Sequence, residues 1–177
     1  MKNLNVLSFA VVLIAGCQSM ARQDAPPQAL QATAALQSTK GSKAFGEASF
    51  EQEGDKVHVL VNAQGLKPNQ EHGFHIHEAG DCSSGDGMSA KGHFNPYGKP
   101  HGNPATSERH AGDMPALKAD ASGNATLDTT LDVMTVKPGP ASIVGRGLIV
   151  HASPDDYKTQ PTGNAGARVA CGVINPV

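Results

Sequence analysis

Along most of this chain the apolar positions recur every second residue rather than every third or fourth. Lys56 to Ala63 (KVHVLVNA) sets Val57, Val59 and Val61 on one face, the period of a strand with one buried side. Ala44 to Gln52 alternates as well, with Phe45 and Phe50 as its large apolar residues, and Glu53-Gly54-Asp55 marks a turn between the two runs. Further short runs lie at Glu71 to Glu78, Ala116 to Asp120, Ala125 to Leu131, Gly147 to His151 and Arg168 to Ile174, with a weaker one at Ala32 to Gln37. Ser122-Gly123-Asn124 reads as a hairpin turn. No long segment carries the helical period. Eight short strands bounded by Gly, Pro and Asn predict an all-β fold, an antiparallel sandwich or flattened barrel.

The N-terminus breaks this pattern. Lys2 is followed by the apolar run Val6 to Ala15, which is too short to span a bilayer and ends Ile14-Ala15-Gly16-Cys17. Small residues before a cysteine resemble a bacterial lipobox. Residues 1–16 are therefore expected to be a signal peptide, with Cys17 lipidated as the mature N-terminus and the chain anchored to a membrane without crossing it. Gln18 after the cysteine points to the outer membrane and hence to a periplasmic protein. Residues 17–30, polar and with a Pro-Pro pair, read as a flexible spacer, and 31–177 as one domain. Lipidation of Cys17 would leave two of the three cysteines, Cys82 and Cys171.

Candidate chemistry is concentrated in the loop that follows the fourth predicted strand. Between His72 and Asp113 lie six of the eight histidines. His75 and His77, one residue apart in a strand, present their imidazoles to the same side. His93, His101, His110 and Asp113 follow in a Gly- and Pro-rich stretch with no strand or helix period, so metal ions are expected to hold it still. With His151 these make seven candidate donors. Four imidazoles suit tetragonal Cu(II), and three imidazoles with a carboxylate suit tetrahedral Zn²⁺. Two such sites need eight donor positions, so one imidazole must use both ring nitrogens. His58 alternates against the valines of its strand and is expected to face solvent. Met88 and Tyr97 are read as packing residues. A hydrolytic zinc site is not supported, because Ala79 and Gly80 stand where its carboxylate and third histidine belong.

The motifs Gly73-Phe74-His75-Ile76-His77, Gly92-His93-Phe94-Asn95-Pro96, His101-Gly102, Glu108-Arg109-His110-Ala111-Gly112-Asp113, Gly145 to His151 and Gly163 to Gly172 together resemble the copper-zinc superoxide dismutase family, bacterial exported type. The resemblance runs over nearly all of residues 32 to 175. It implies an eight-stranded Greek-key barrel. It assigns copper to His75, His77, His93 and His151, and zinc to His93, His101, His110 and Asp113, with His93 as the bridge. Cys82 and Cys171 match an intrasubunit disulfide, Asp155 an outer carboxylate linking His75 and His101, and Arg168 a guanidinium over the copper channel. His72 matches a residue bonded to backbone.

The activity implied is conversion of two superoxide anions and two protons to O₂ and H₂O₂, with copper alternating between Cu(II) and Cu(I) and zinc holding the bridging ring. His93 would carry a proton, and Arg168 would attract and orient the anion. A non-catalytic copper-binding or chaperone domain of the same fold is the alternative, although such relatives lack a copper ligand or the arginine and this chain keeps them. Lys and Arg number 14 against 16 Asp and Glu, a net charge of −2, so attraction of an anion must be local; Lys91 and Lys158 are candidates for the rim. No nucleic-acid partner is expected. The resemblance allows a homodimer.

Overall fold

The computed structural model describes residues 30–177; the expected signal peptide, Cys17 and almost all of the spacer lie outside them. Among the described residues ten strands are formed: β1 Gln31–Ser38, β2 Phe45–Glu53, β3 Lys56–Gln64, β4 Glu71–His72, β5 Phe74–His77, β6 Leu117–Lys118, β7 Ala125–Leu131, β8 Gly147–His151, β9 Arg168–Val173 and β10 Asn175–Pro176. All their pairings are antiparallel. The main sheet runs β5-β8-β9-β1-β2-β3-β7, with β10 added against β1, while β4 and β6 form a separate pair. The neighbours β8 and β5, and β9 and β1, are far apart in sequence, so long connections cross between strands, as a Greek key requires.

The alternation decides what is inside. Val57, Val59 and Val61 are fully buried, as are Phe50 on β2 and Phe74 and Ile76 on β5; Met114, Leu117, Ile143, Leu148 and Ile174 complete the hydrocarbon centre. Phe45 sits at the opposite parity from Phe50 and is half exposed. His58 stays on the outer face of β3, 2.7 Å from Asp128 on β7.

Two local breaks position the site. The predicted strand Glu71 to Glu78 divides at Gly73. There the N–H turns to the Ser153 carbonyl and the carbonyl accepts from the His151 N–H, and a Cβ would lie 2.7 Å from that of Ala165. The second break is a register shift between β8 and β9: Val150 faces Ala170, but His151 faces Arg168. Val169 is the extra residue, a bulge that re-aims the side chain next to it. It brings Arg168 beside His151.

The histidine-rich loop is held by more than its donors. His77 and His93, and His75 and Asp113, form single bridges along the free edge of β5, where Ile76 both donates to Gly112 and accepts from Phe94. Phe94, Ala111 and Met114 are buried in the core. The expectation that metal ions rather than a hydrophobic core hold this loop still is corrected: backbone pairing and apolar anchors in the core hold it as well. Met88 and Tyr97, expected to pack, are instead 60% and 56% exposed, because each sits on an outward turn of the loop. Cys82 and Cys171 form a disulfide with a Cα–Cα distance of 5.8 Å, closing 89 residues of sequence. On a chain-entropy account such a loop closure contributes about 4 kcal/mol.

Candidate metal centre

β5 is buried on both faces, and the two faces differ in kind. Phe74 and Ile76 point into hydrocarbon; His75 and His77 point to the other side, where His93 from the loop and His151 from the end of β8 meet them. All four imidazoles are buried. Each has a ring nitrogen with no hydrogen-bond partner: Nδ1 of His75 and Nε2 of His77, His93 and His151. The four residues offer ligand atoms that all lie within 4.8 Å of one another.

The far side of each ring explains which nitrogen is free. His75 Nε2 lies 2.6 Å from Asp155 Oδ2, His77 Nδ1 2.8 Å from the Lys91 carbonyl, and His151 Nδ1 3.1 Å from the Gly166 carbonyl. A carboxylate or carbonyl can only accept, so each of these nitrogens carries the proton, and the inward nitrogen of the neutral ring is a bare lone pair. Burial keeps the rings neutral. It pushes His93 down to about 4 and His151 to about 3, and lowers His75 and His77 too. Four lone pairs aimed at one another without a donor are repulsive and costly to bury. A cation that prefers nitrogen is what such a set fits.

A second set is built around Asp113. Its Oδ2 accepts the backbone N–H of Gly102 at 3.0 Å and of His110 at 2.9 Å, which fixes the carboxylate. Its Oδ1 faces Nδ1 of His93 at 2.9 Å, of His101 at 3.0 Å and of His110 at 3.3 Å. His101 spends its other nitrogen on Asp155 Oδ1, 2.9 Å away. Burial opposes charge on both Asp113 and His101, but the contacts between them win: Asp113 is held far below the usual carboxylate range, and its bonds with those from Asp155 raise His101 to about 9. Three imidazoles and one carboxylate are a closed tetrahedral donor set of the kind zinc prefers.

His93 belongs to both sets. Its Nδ1 faces Asp113 and its Nε2 faces the four-imidazole group, so neither nitrogen is left to an outer carbonyl. Asp155 joins the sets from behind by bonding both His75 and His101. Gly163, at φ +66°, closes over that junction; a Cβ there would fall 1.8 Å from Asp155 Oδ1.

Arg168 lies beside the four-imidazole group, paired with His151 across β8 and β9. Its guanidinium donates to the Gly87 and Lys91 carbonyls, and the Lys91 carbonyl also accepts from the His77 ring. The disulfide fastens the 82–91 segment that carries both carbonyls to β9, the strand that carries Arg168. A four-nitrogen set that suits a redox metal thus shares a ring with a three-nitrogen, one-carboxylate set, beneath a positioned guanidinium.

Comparison with known proteins agrees with that chemistry. The family model for copper/zinc superoxide dismutase (SODC) matches residues 44–174. The chain belongs to the copper/zinc superoxide dismutase family. It is 42% identical over 179 residues to Cu-Zn superoxide dismutase 2 of Aquifex aeolicus (strain VF5), covering 98% of this chain and 99% of that one. It is 44% identical over 135 residues to the Cu-Zn superoxide dismutase of Paramecium bursaria Chlorella virus 1, covering 73% and 71%. Among solved structures, the crystal structure of the clock protein EA4 superposes with a TM-score of 0.75 at 41% identity, covering 82% of this chain and 93% of that one.

The structure brings every residue of the two expected donor sets together, with Asp155 behind them and Arg168 in front. It leaves His58 outside, and gives His72 a backbone partner, the His151 carbonyl at 2.8 Å. Asp156 faces outward and bonds the Thr159 hydroxyl instead. Lys91 has its ammonium 4.0 Å from Glu78, and Lys158 is exposed. Four contributors were not given these roles from sequence: the Lys91 and Gly87 carbonyls, Gly163, and Gln160, which bonds the His101 backbone. Carbonyls leave no side-chain signature, and the other two read as ordinary loop residues.

Proposed function

We propose that this chain dismutates superoxide, converting two anions and two protons to O₂ and H₂O₂. The observation that carries the proposal is the set of four partnerless imidazole nitrogens that shares His93 with the Asp113 set beside Arg168. His75, His77, His93 and His151 would hold copper, and His93, His101, His110 and Asp113 would hold zinc. Bound there, copper supplies one-electron chemistry by alternating Cu(II) and Cu(I), and zinc supplies a fixed charge without redox change. Asp155 sets the tautomers of His75 and His101 from outside, the usual means of aiming an imidazole. Arg168 supplies the local positive charge that draws an anion into a chain of net charge −2. Its two backbone acceptors keep the guanidinium from swinging away. Lys91 and Lys158 add to the positive rim. His93 Nε2 is the nitrogen at which a proton can be held for the outgoing peroxide.

Reconstitution with copper and zinc, followed by a superoxide dismutation assay, tests this. Turnover is expected only with copper present. Copper bound tightly without turnover would favour a non-catalytic copper-binding role.

The same proposal extends to place. Ile14-Ala15-Gly16-Cys17 supports export and lipidation at Cys17, leaving the catalytic domain tethered on the periplasmic face of the outer membrane by residues 17–30. An oxidising compartment suits the Cys82–Cys171 disulfide.

A further inference from the structure

His101 lies in the run Pro100-His101-Gly102-Asn103-Pro104, which belongs to no strand. Its backbone is nonetheless paired on both sides by one side chain. The His101 N–H donates to Gln160 Oε1 at 2.8 Å, and Gln160 Nε2 donates to the His101 carbonyl at 2.9 Å. A primary amide sets an acceptor and a donor at the spacing of a peptide group, so Gln160 stands in for the missing strand partner, while Nε2 also donates to the Lys158 carbonyl at 3.3 Å.

The turn that presents Gln160 is itself fixed. Asp156 accepts the N–H groups of Lys158 and Thr159 at 2.8 Å each, and the Gly163 N–H donates to the Thr159 carbonyl at 2.7 Å. The same connection between β8 and β9 carries Asp155, which bonds the His101 ring, and Gly166, whose carbonyl accepts from His151. His101 is therefore gripped twice by this connection, at its ring by Asp155 and at its backbone by Gln160. No other member of the two donor sets has its backbone held by a side chain from that connection.

We propose that Gln160 is a positioning residue for the zinc half of the centre, pinning the His101 backbone so that Nδ1 faces Asp113 and the other two rings. This rests on the metal assignment above and adds to it a selective role. Gln160 makes no hydrogen bond to His75, His77 or His151, so its loss falls on zinc rather than copper. Outer partners of metal-bound imidazoles typically change metal affinity by about 10- to 100-fold.

The test uses the metal-stripped full chain with Gln160→Ala and Gln160→Glu. Zn²⁺ is titrated in competition with a chelator, copper is titrated separately, and the visible d–d spectrum of Co²⁺ in the zinc site is recorded. Glutamate matches the size of glutamine but has no donor for the His101 carbonyl, so it separates the amide's hydrogen bonds from mere packing. Both variants are expected to bind zinc about 10- to 100-fold more weakly, with a shifted Co²⁺ spectrum and copper affinity nearly unchanged. Zinc affinity of either variant within twofold of wild type would overturn the proposal. So would a loss of zinc and copper affinity by the same factor, which would mark general loosening. A wild-type chain that takes up no zinc would instead remove the metal assignment on which the proposal stands.

Discussion

His93 Nδ1 lies 2.9 Å from Asp113 Oδ1, while the opposite nitrogen of the same ring has no partner and faces the imidazoles of His75, His77 and His151. Most buried histidines use one nitrogen on a backbone carbonyl, which fixes the tautomer and leaves one lone pair. His93 gives neither nitrogen to such a partner. Its ring is a wall between two donor sets, and each set faces a different nitrogen.

His151 supplies one of the four free nitrogens on one side of that wall and none on the other. His151→Ala is therefore expected to lose copper and dismutation activity while retaining zinc, as read by metal content per chain. Activity at the wild-type level would remove His151 from the site.

Arg168 is held by two backbone carbonyls and placed across from His151 by the bulge at Val169. Arg168→Ala is expected to slow turnover several-fold and to flatten its dependence on ionic strength, since screening acts only on a charge that is present. The same salt profile in variant and wild type would show that steering comes from elsewhere.

The buried rings predict how the metal-free protein responds to acid. Burial holds His93 down to about 4 and His151 to about 3, whereas an unfolded histidine titrates near 6.5. Below pH 6.5 the unfolded chain binds protons that the native chain refuses, so stability falls with pH until about 4; above 6.5 these rings contribute no slope. His101, raised to about 9 by Asp113 and Asp155 against the opposing effect of burial, has the other sign. Its contribution is complete below 6.5 and is lost as pH rises through 9. Stability is thus expected to peak near pH 6.5, and urea unfolding should show a loss on the order of 2–4 kcal/mol between pH 6.5 and 5. An unchanged or higher midpoint at pH 5 would contradict the neutral-ring account.

Much of this was legible along the chain, for identifiable reasons. The valines of β3 and the His-x-His of β5 follow the two-residue period, so their faces could be read directly. His58 follows the same period at the opposite parity, on the outer face of β3, and lies outside the site as expected. The predicted single strand through Gly73 could not show its break, because the chain turns there only to meet Ser153 and His151. Met88 and Tyr97 misled because apolar residues in a long loop suggest packing, whereas Phe94, Ala111 and Met114 anchor it. Gln160 and the Lys91 carbonyl were invisible for another reason: each acts through a side chain-to-backbone hydrogen bond between segments distant in sequence, which no local pattern encodes.

The anchor at Cys17 is tested separately from the chemistry. Cys17→Ser in the producing cell is expected to move the protein from the membrane fraction to the soluble one with its dismutase activity intact. Retention in the membrane fraction would reject lipidation at that residue.

The shared ring is tested most directly by anomalous diffraction from crystals of the copper- and zinc-loaded protein, recorded at both absorption edges. The expected result is two distinct peaks, copper on the Nε2 side of His93 and zinc on the Nδ1 side, each within bonding distance of that ring. A single peak, or two peaks of which one does not touch His93, would contradict it.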